Sequence, residues 1–334
     1  MEQISEGLLH RLTWPEGRVD AVLDTDTYNE IDDQYALSYL FCCGEKINVK
    51  AVYAAPFSNQ KSSGPMDGME KSYEEILRLL SLLGRADFNS NVYRGSGAYL
   101  PDETAPVISD AASHLVSLAA SYTPEQPLYV IAIGAITNVA SAILLDPSIR
   151  ERIVIIWLGG HAHNWPHNLE FNCLQDVAAA RVVFGSGAAL VQLPCMGVVS
   201  ACRTTHGELE EFLRGKNALC DYLADITERD GKLYSPHETW SRVIWDVTAA
   251  GWLVDRRFMK DYLTPAPIPG YDNRYSFDPT RHLMRYVYDV DRDALFEDVF
   301  GRLGALQSRD VSGGRFKRQN IPGRINSQEK LKMV

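Results

Sequence analysis

The sequence has no run approaching 18 uninterrupted apolar residues, and this excludes a helix that crosses a bilayer. Its six cysteines, Cys42, Cys43, Cys173, Cys195, Cys202 and Cys220, contain no C-x-x-C pair and stand mostly in apolar surroundings. That excludes a sequence-readable disulfide or zinc framework and leaves buried, reduced thiols as the expectation. Basic residues are in the minority, 33 against 43 acids for a net charge of −10. Such a chain lacks the positive face needed to hold nucleic acid by its phosphates, so the expected partner is a small molecule. Met1 to Pro15 shows no basic-then-apolar leader pattern, and a cytoplasmic chain without membrane attachment is expected. No internal repeat or composition break divides the 334 residues. The expectation is one α/β domain over 1–314 and a basic, polar tail over 315–334.

What the sequence does have is concentrated acid. Asp24-Thr25-Asp26-Thr27-Tyr28-Asn29-Glu30-Ile31-Asp32-Asp33 places five carboxylates in ten residues. An apolar run, Ala21-Val22-Leu23, precedes it and a helical pattern from Gln34 to Phe41 follows, so the order reads strand, loop, helix. In open α/β sheets the loop that leaves a strand's carboxyl end is where ligands bind. A helix N-terminus favours a carboxylate by only about 0.3–1 kcal/mol, too little to hold this many anions together. A bound cation resolves the repulsion, and ligands that are all oxygen select a hard one, Ca²⁺ or Mg²⁺. The plain alternative is a solvated acidic loop capping a helix.

Further strands are expected at Ile47–Ala55, near Asn91–Tyr93, at Leu128–Ile133, Ile153–Leu158 and Ala188–Leu193. Helical spacing marks Met69–Leu83, Asp110–Tyr122, a start near Thr137 and Asn138, Val177–Phe184, Glu208–Leu223 and Pro236–Leu253, with a long loop over Phe57–Gly68. Strand and helix alternate, and the strands at 128 and 153 are apolar throughout. The expected fold is therefore α/β, a mostly parallel, Rossmann-like open sheet with helices on both faces.

Two more clusters could carry chemistry. The loop from Gly159 to Asn172 holds His161, His163, Asn164, Trp165, His167, Asn168 and Glu170, a density of neutral hydrogen-bonding groups that suits hydroxyl recognition. Its His-x-His pair without a third ligand is a weak zinc signal. Asp246 is the one acid in Thr239–Leu253, where it either pairs with Arg242 or serves as a last metal ligand.

Together these elements resemble the nucleoside hydrolase family of the inosine-uridine-preferring type. Its D-x-D-x-G-x-D-D motif is similar to Asp24-Thr25-Asp26 and Asp32-Asp33, with two extra residues between the halves. Its G-P-L-T-N segment is similar to Gly134-Ala135-Ile136-Thr137-Asn138, and its E-F-N to Glu170-Phe171-Asn172. The resemblance implies hydrolysis of the N-glycosidic bond of a ribonucleoside or related ribosyl compound, with Ca²⁺ as cofactor. By the same resemblance Asp26 would be metal ligand and base, and Asp24 would support the site from behind. Asp33, the Ile133 carbonyl and Asp246 would be further ligands, and Asp32, Asn164, Glu170 and Asn172 would grip the sugar. The family's dimeric or tetrameric habit implies a homo-oligomer.

The departures fall on the leaving-group side. Trp245 stands where the family has a histidine before the last aspartate, so Trp245, or Trp165, is the candidate to stack on a base; His161, His163, His167 and His237 are candidate acids. Pro56-Phe57 replaces a Gly-Asn, with Asn59 nearby, and no His-Gly occurs near Asn91 to Asp102. Two other readings are open. One is a phosphoryl-transfer enzyme of the haloacid-dehalogenase type, which leaves Asp32-Asp33 unexplained; the other is a hydrolase or binding protein for another carbohydrate, of which the pure binder would have no need of a base at Asp26.

Overall fold

The structure is a computed structural model that describes residues 6–235 and 237–306; the basic stretch 315–334 lies outside them. The strands in chain order are β1 (Val19–Thr25), β2 (Ile47–Ala54), β3 (Val92–Arg94), β4 (Leu128–Ala132), β5 (Ile153–Leu158), β6 (Ala189–Leu193), β7 (Arg203–Thr205), β8 (Ser241–Val243), β9 (Met259–Pro265), β10 (Ile268–Pro269), β11 (Tyr275–Ser276) and β12 (Leu283–Val290). The helices are α1 (Glu6–Arg11), α2 (Asp32–Cys42), α3 (Pro65–Leu82), α4 (Asp110–Ala119), α5 (Thr137–Leu145), α6 (Phe171–Gln175), α7 (Val177–Gly185), α8 (His206–Phe212), α9 (Ala218–Tyr234), α10 (Val247–Val254) and α11 (Arg292–Gly304).

Eight strands form one sheet in the order β3-β2-β1-β4-β5-β6-β12-β9, parallel except for the antiparallel β12–β9 pair. Every residue of β4, β5 and β6 is buried, as expected for strands covered on both faces. Their side chains alternate between two cores. Leu23, Ile131, Ile156 and Val191 belong to one, beneath α2, α10 and α11. Val22, Val130, Ile155 and Trp157 belong to the other, beneath α4, α5 and α7. Each such buried aliphatic side chain contributes about 1.5–3 kcal/mol. The strand order reverses between β1 and β4, and there the two carboxyl ends lie level, Asp24 opposite Ala132. This switch point is where open α/β sheets bind ligands.

The α/β class and mostly parallel sheet match the sequence reading, and four elements differ from it. The helix expected from Met69 begins at Pro65, because proline suits a first turn whose N–H groups have no helical partner. The pattern over 208–223 is broken at Gly215, whose φ of +74° ends one helix and allows α9 to start after Asn217. Within 237–253 the chain is helical only from Val247. Before it, β8 pairs antiparallel with β7, Arg242 opposite Thr204, so Asp246 sits at a helix start and not inside a helix. The strands β9 and β12, which lack the regular alternation of a half-buried strand and are absent from the expected set, widen the sheet at one edge.

Candidate functional site

The first loop reaches the switch point because β1 ends in alternating polar residues just where the sheet's apolar cover stops. Asp24, at the strand's end, is fully buried, and its Oδ1 accepts a hydrogen bond from Asn138 Nδ2 at 2.8 Å. Burial outweighs that bond and, with Asp33 adding repulsion, pushes the Asp24 carboxyl up to about 7. Asp26, Asp32, Asp33 and Asp246 are buried as well, none more than 4% exposed. Burial first and mutual repulsion second hold Asp26, Asp32 and Asp246 well above the usual carboxylate range. Burial also raises Asp33, to about 7, against a hydrogen bond from the Thr25 hydroxyl.

Oxygens of Asp32, Asp33 and Asp246 lie within 4.8 Å of one another, although Asp246 is more than 200 residues from the other two in sequence. Asp246 occupies the N-cap position of α10 without its side chain making the cap bond, so the carboxylate is turned to other use. Asp26 Oδ2 is buried without a hydrogen-bond partner among the described residues. Among the described residues no lysine or arginine lines the cavity that these acids share. A group of buried carboxyl oxygens with no basic side chain among them fits a hard divalent cation, which would displace the protons that burial otherwise keeps on them. Ile133 lines the same cavity, and its carbonyl takes one hydrogen bond, from Asn172 Nδ2 at 3.1 Å, which leaves a second lone pair. Gly134 follows because a Cβ there would meet Asp26 Cγ at 3.1 Å.

The model of the inosine-uridine preferring nucleoside hydrolase family matches residues 21–297. The chain belongs to that family. It is a glycosidase acting on N-ribosyl compounds, in a family that uses a metal ion. Among curated relatives, this nucleoside hydrolase is 26% identical to the pyrimidine-specific ribonucleoside hydrolase RihA of Photobacterium profundum over 218 residues, 59% of this chain and 67% of that one. It is 27% identical to the RihA of Salmonella typhimurium over 247 residues, 67% of this chain and 76% of that one. In fold it is similar to the purine-preferring ribonucleoside hydrolase from Gardnerella vaginalis, with a TM-score of 0.71 at 19% identity over 86% of this chain and 98% of that one. No helix among the described residues of the hydrolase is long and apolar enough to cross a membrane.

The far wall of the cavity comes from the loop after β5 and from α6. Glu170 is the N-cap of α6: Oε1 accepts from Asn172 N at 2.9 Å, and Oε2 from Gly160 N at 2.7 Å and Cys173 N at 2.9 Å. The Cys195 thiol also hydrogen-bonds this carboxylate, so all of its roughly four lone-pair sites are engaged. Asn172 Nδ2 donates to Ile133 O and Leu158 O, which turns Oδ1 away as a free acceptor. Asn164 lies outside this grouping. It is exposed and does not line the cavity, because the loop instead buries Asn168, whose Oδ1 takes the His161 N–H at 2.8 Å.

Of the aromatic and histidine candidates, Trp245 and His161 line the cavity. The Trp245 N–H donates to Asp32 Oδ2 at 3.1 Å. The His161 ring is 7% exposed, and its Nδ1 accepts from Met196 N at 3.3 Å, which leaves the proton on Nε2. Burial, with His167 adding repulsion, lowers His161 to about 4, so the ring is neutral at pH 7. His163 is packed away against Tyr286 with Nε2 on Gln192, while Trp165, His167 and His237 are exposed. Asn59 does not line the cavity and serves the first loop instead, donating to Asn29 Oδ1 at 2.7 Å. Arg242 pairs with Asp230 and with Glu30, the latter at 3.2 Å, and thus leaves Asp246 free of it.

The sequence reading missed Leu158, Leu169, Phe171 and Met196, the apolar lining, together with Cys195. Their common signal was position after a strand's carboxyl end or beside Glu170. Glu30 and Asn29, in the two-residue-longer first loop, also line the cavity.

Proposed function

We propose that this hydrolase is a Ca²⁺-dependent ribonucleoside N-ribohydrolase that inverts the anomeric carbon. The observation that carries the reading is the buried carboxylate group at the switch point, with three acids mutually within 4.8 Å and the unpartnered Asp26 Oδ2 beside them. Asp26, Asp33, Asp246 and the Ile133 carbonyl would hold the ion. Bound there, Ca²⁺ would neutralise the carboxylates and lower the pKa of a water.

The chain's own groups do the rest. Asp26 takes a proton from the attacking water as its oxygen bonds to C1′; the electron pair of the C1′–N bond leaves with the base, which is then protonated from solvent. The remaining carboxylates face the sugar as it gains oxocarbenium character. Asp32 and Asn172 Oδ1 accept the sugar hydroxyls, and Glu170, engaged by three N–H groups and the Cys195 thiol, holds that wall of the cavity in place. Trp245 and Phe171 offer apolar faces to a base. His161, neutral and with its proton on Nε2, donates a hydrogen bond to the departing base, as a neutral imidazole can where charge develops.

The test is release of reducing sugar from pyrimidine and purine nucleosides and from nitrophenyl riboside, with Ca²⁺ and then after chelation. Turnover that chelation removes and Ca²⁺ restores is expected, with Asp26→Asn lower by at least about a thousandfold while sugar binding persists. Chelator-resistant turnover, or an active Asp26→Asn, refutes the assignment.

A further inference from the structure

A second cavity, of about 980 Å³, lies at the amino ends of the central strands β1 and β4, the opposite end from the carboxylate group. Val19 and Asp20 at the start of β1, Tyr129 in β4, the segment around Trp14 and the turn around Tyr122 line it. The length of β1, about 3.3 Å per residue, separates it from the acidic site, and the two cavities share no lining residue.

Arg11, from the last turn of α1, lines this space. It is only 6% exposed, and its Nε is buried with no hydrogen-bond partner. No ion pair or other hydrogen bond joins Arg11 to the described residues; Glu125 and Glu151 act on its charge only from a distance. Every other charged group around the cavity is exposed or already engaged. His10, Glu16, Arg18 and Glu125 are exposed. Asp20 accepts from Asn48 at 2.6 Å and from Tyr122 at 2.8 Å, and stands 3.7 Å from Lys50. A guanidinium cannot shed its proton, and a buried charge without a partner is costly. The dipole at the end of a two-turn helix is too weak a partner to account for it.

We propose that this cavity is a binding site for a small oxyanion, a carboxylate or a phosphate, anchored by Arg11 and walled by Trp14, Tyr122 and Tyr129. The planar fork of arginine suits both anions, since it offers two parallel N–H groups to two oxygens. Binding there stabilises the fold by an amount that grows with the logarithm of anion concentration above Kd and involves no group of the acidic site.

The experiment is calorimetric titration of the full chain with inorganic phosphate and, separately, acetate. Ionic strength is held constant with chloride, and chelator is present so that no cation in the acidic site can hold the anion. Thermal unfolding is followed in parallel. One anion is expected to bind saturably at one site per chain and to raise Tm by about 2–4 °C near saturation. Arg11→Gln should weaken that binding by at least about tenfold. Arg11→Lys, which keeps the charge but loses the fork, should fall between the two and serves for comparison should Arg11→Gln fail to fold. Saturation by phosphate alone names a phosphate site, and by acetate alone a carboxylate site. No saturable binding of either anion, or unchanged binding by both variants, overturns the proposal.

Discussion

Removing the cation from the carboxylate group should give a protein whose stability falls as pH rises, the reverse of the usual behaviour of paired acids. Asp33 titrates near 3.9 in an unfolded chain, and burial lifts it to about 7 in the folded one. Between those values the folded chain binds a proton that the unfolded chain has released, so the derivative of unfolding free energy with pH is negative. The stabilisation is complete below about pH 4 and is lost as pH climbs through about 7. Three pH units at 1.36 kcal/mol each put the loss at roughly 4 kcal/mol for Asp33 alone. Asp26, Asp32 and Asp246 are shifted in the same direction and add to it. Set against a total stability of about 5–15 kcal/mol, that is a large fraction. The proposed Ca²⁺ would bind the deprotonated carboxylates, so it should restore stability at neutral pH and do little near about pH 5. The assay is urea unfolding of metal-free protein at about pH 5 and pH 7.5, each with and without millimolar Ca²⁺. The expected result is a calcium increment larger at the higher pH by at least about 2 kcal/mol, with Asp33→Asn flattening the pH dependence of the metal-free protein. Metal-free protein as stable at the higher pH as at the lower, or an equal calcium increment at both, refutes the reasoning.

Replacing His161 by Phe should lower kcat on nucleosides by about a hundredfold and change nitrophenyl riboside hydrolysis only a few-fold, since that leaving group departs without help; steady-state kinetics on both substrates checks it, and an equal loss on both would remove His161 from leaving-group stabilisation. Gly95→Ala should cost about 1–3 kcal/mol in urea unfolding, because its Cβ would sit 2.0 Å from the Ala54 carbonyl oxygen and 2.4 Å from Asn138 Nδ2, the group that holds Asp24.

Much of this molecule could be read without coordinates. The apolar runs at 128 and 153 named buried parallel strands because only strands covered on both faces lack alternation. The cluster from Asp24 to Asp33 announced a cation because local helix and solvent effects cannot offset so many adjacent charges. Local patterning failed where a long-range partner took over. Residues 236–246 show helical spacing, yet Arg242 is drawn to Asp230 and Glu30 and its segment pairs with β7, so an extended strand forms instead. Asn164 has the right spacing before Glu170, but the loop buries Asn168 and leaves Asn164 outside the cavity. Sequence by itself determined the fold class, the acidic first loop and the family resemblance, all of which rest on residues close together in the chain or on the periodicity of one element. Only the tertiary structure decided three things: that Asp246 reaches Asp32 and Asp33, that His161 and not His163, His167 or His237 faces the cavity, and that Arg11 is buried without a partner among the described residues at the amino ends of the central strands. Each depends on where separate elements meet, and no local pattern encodes that.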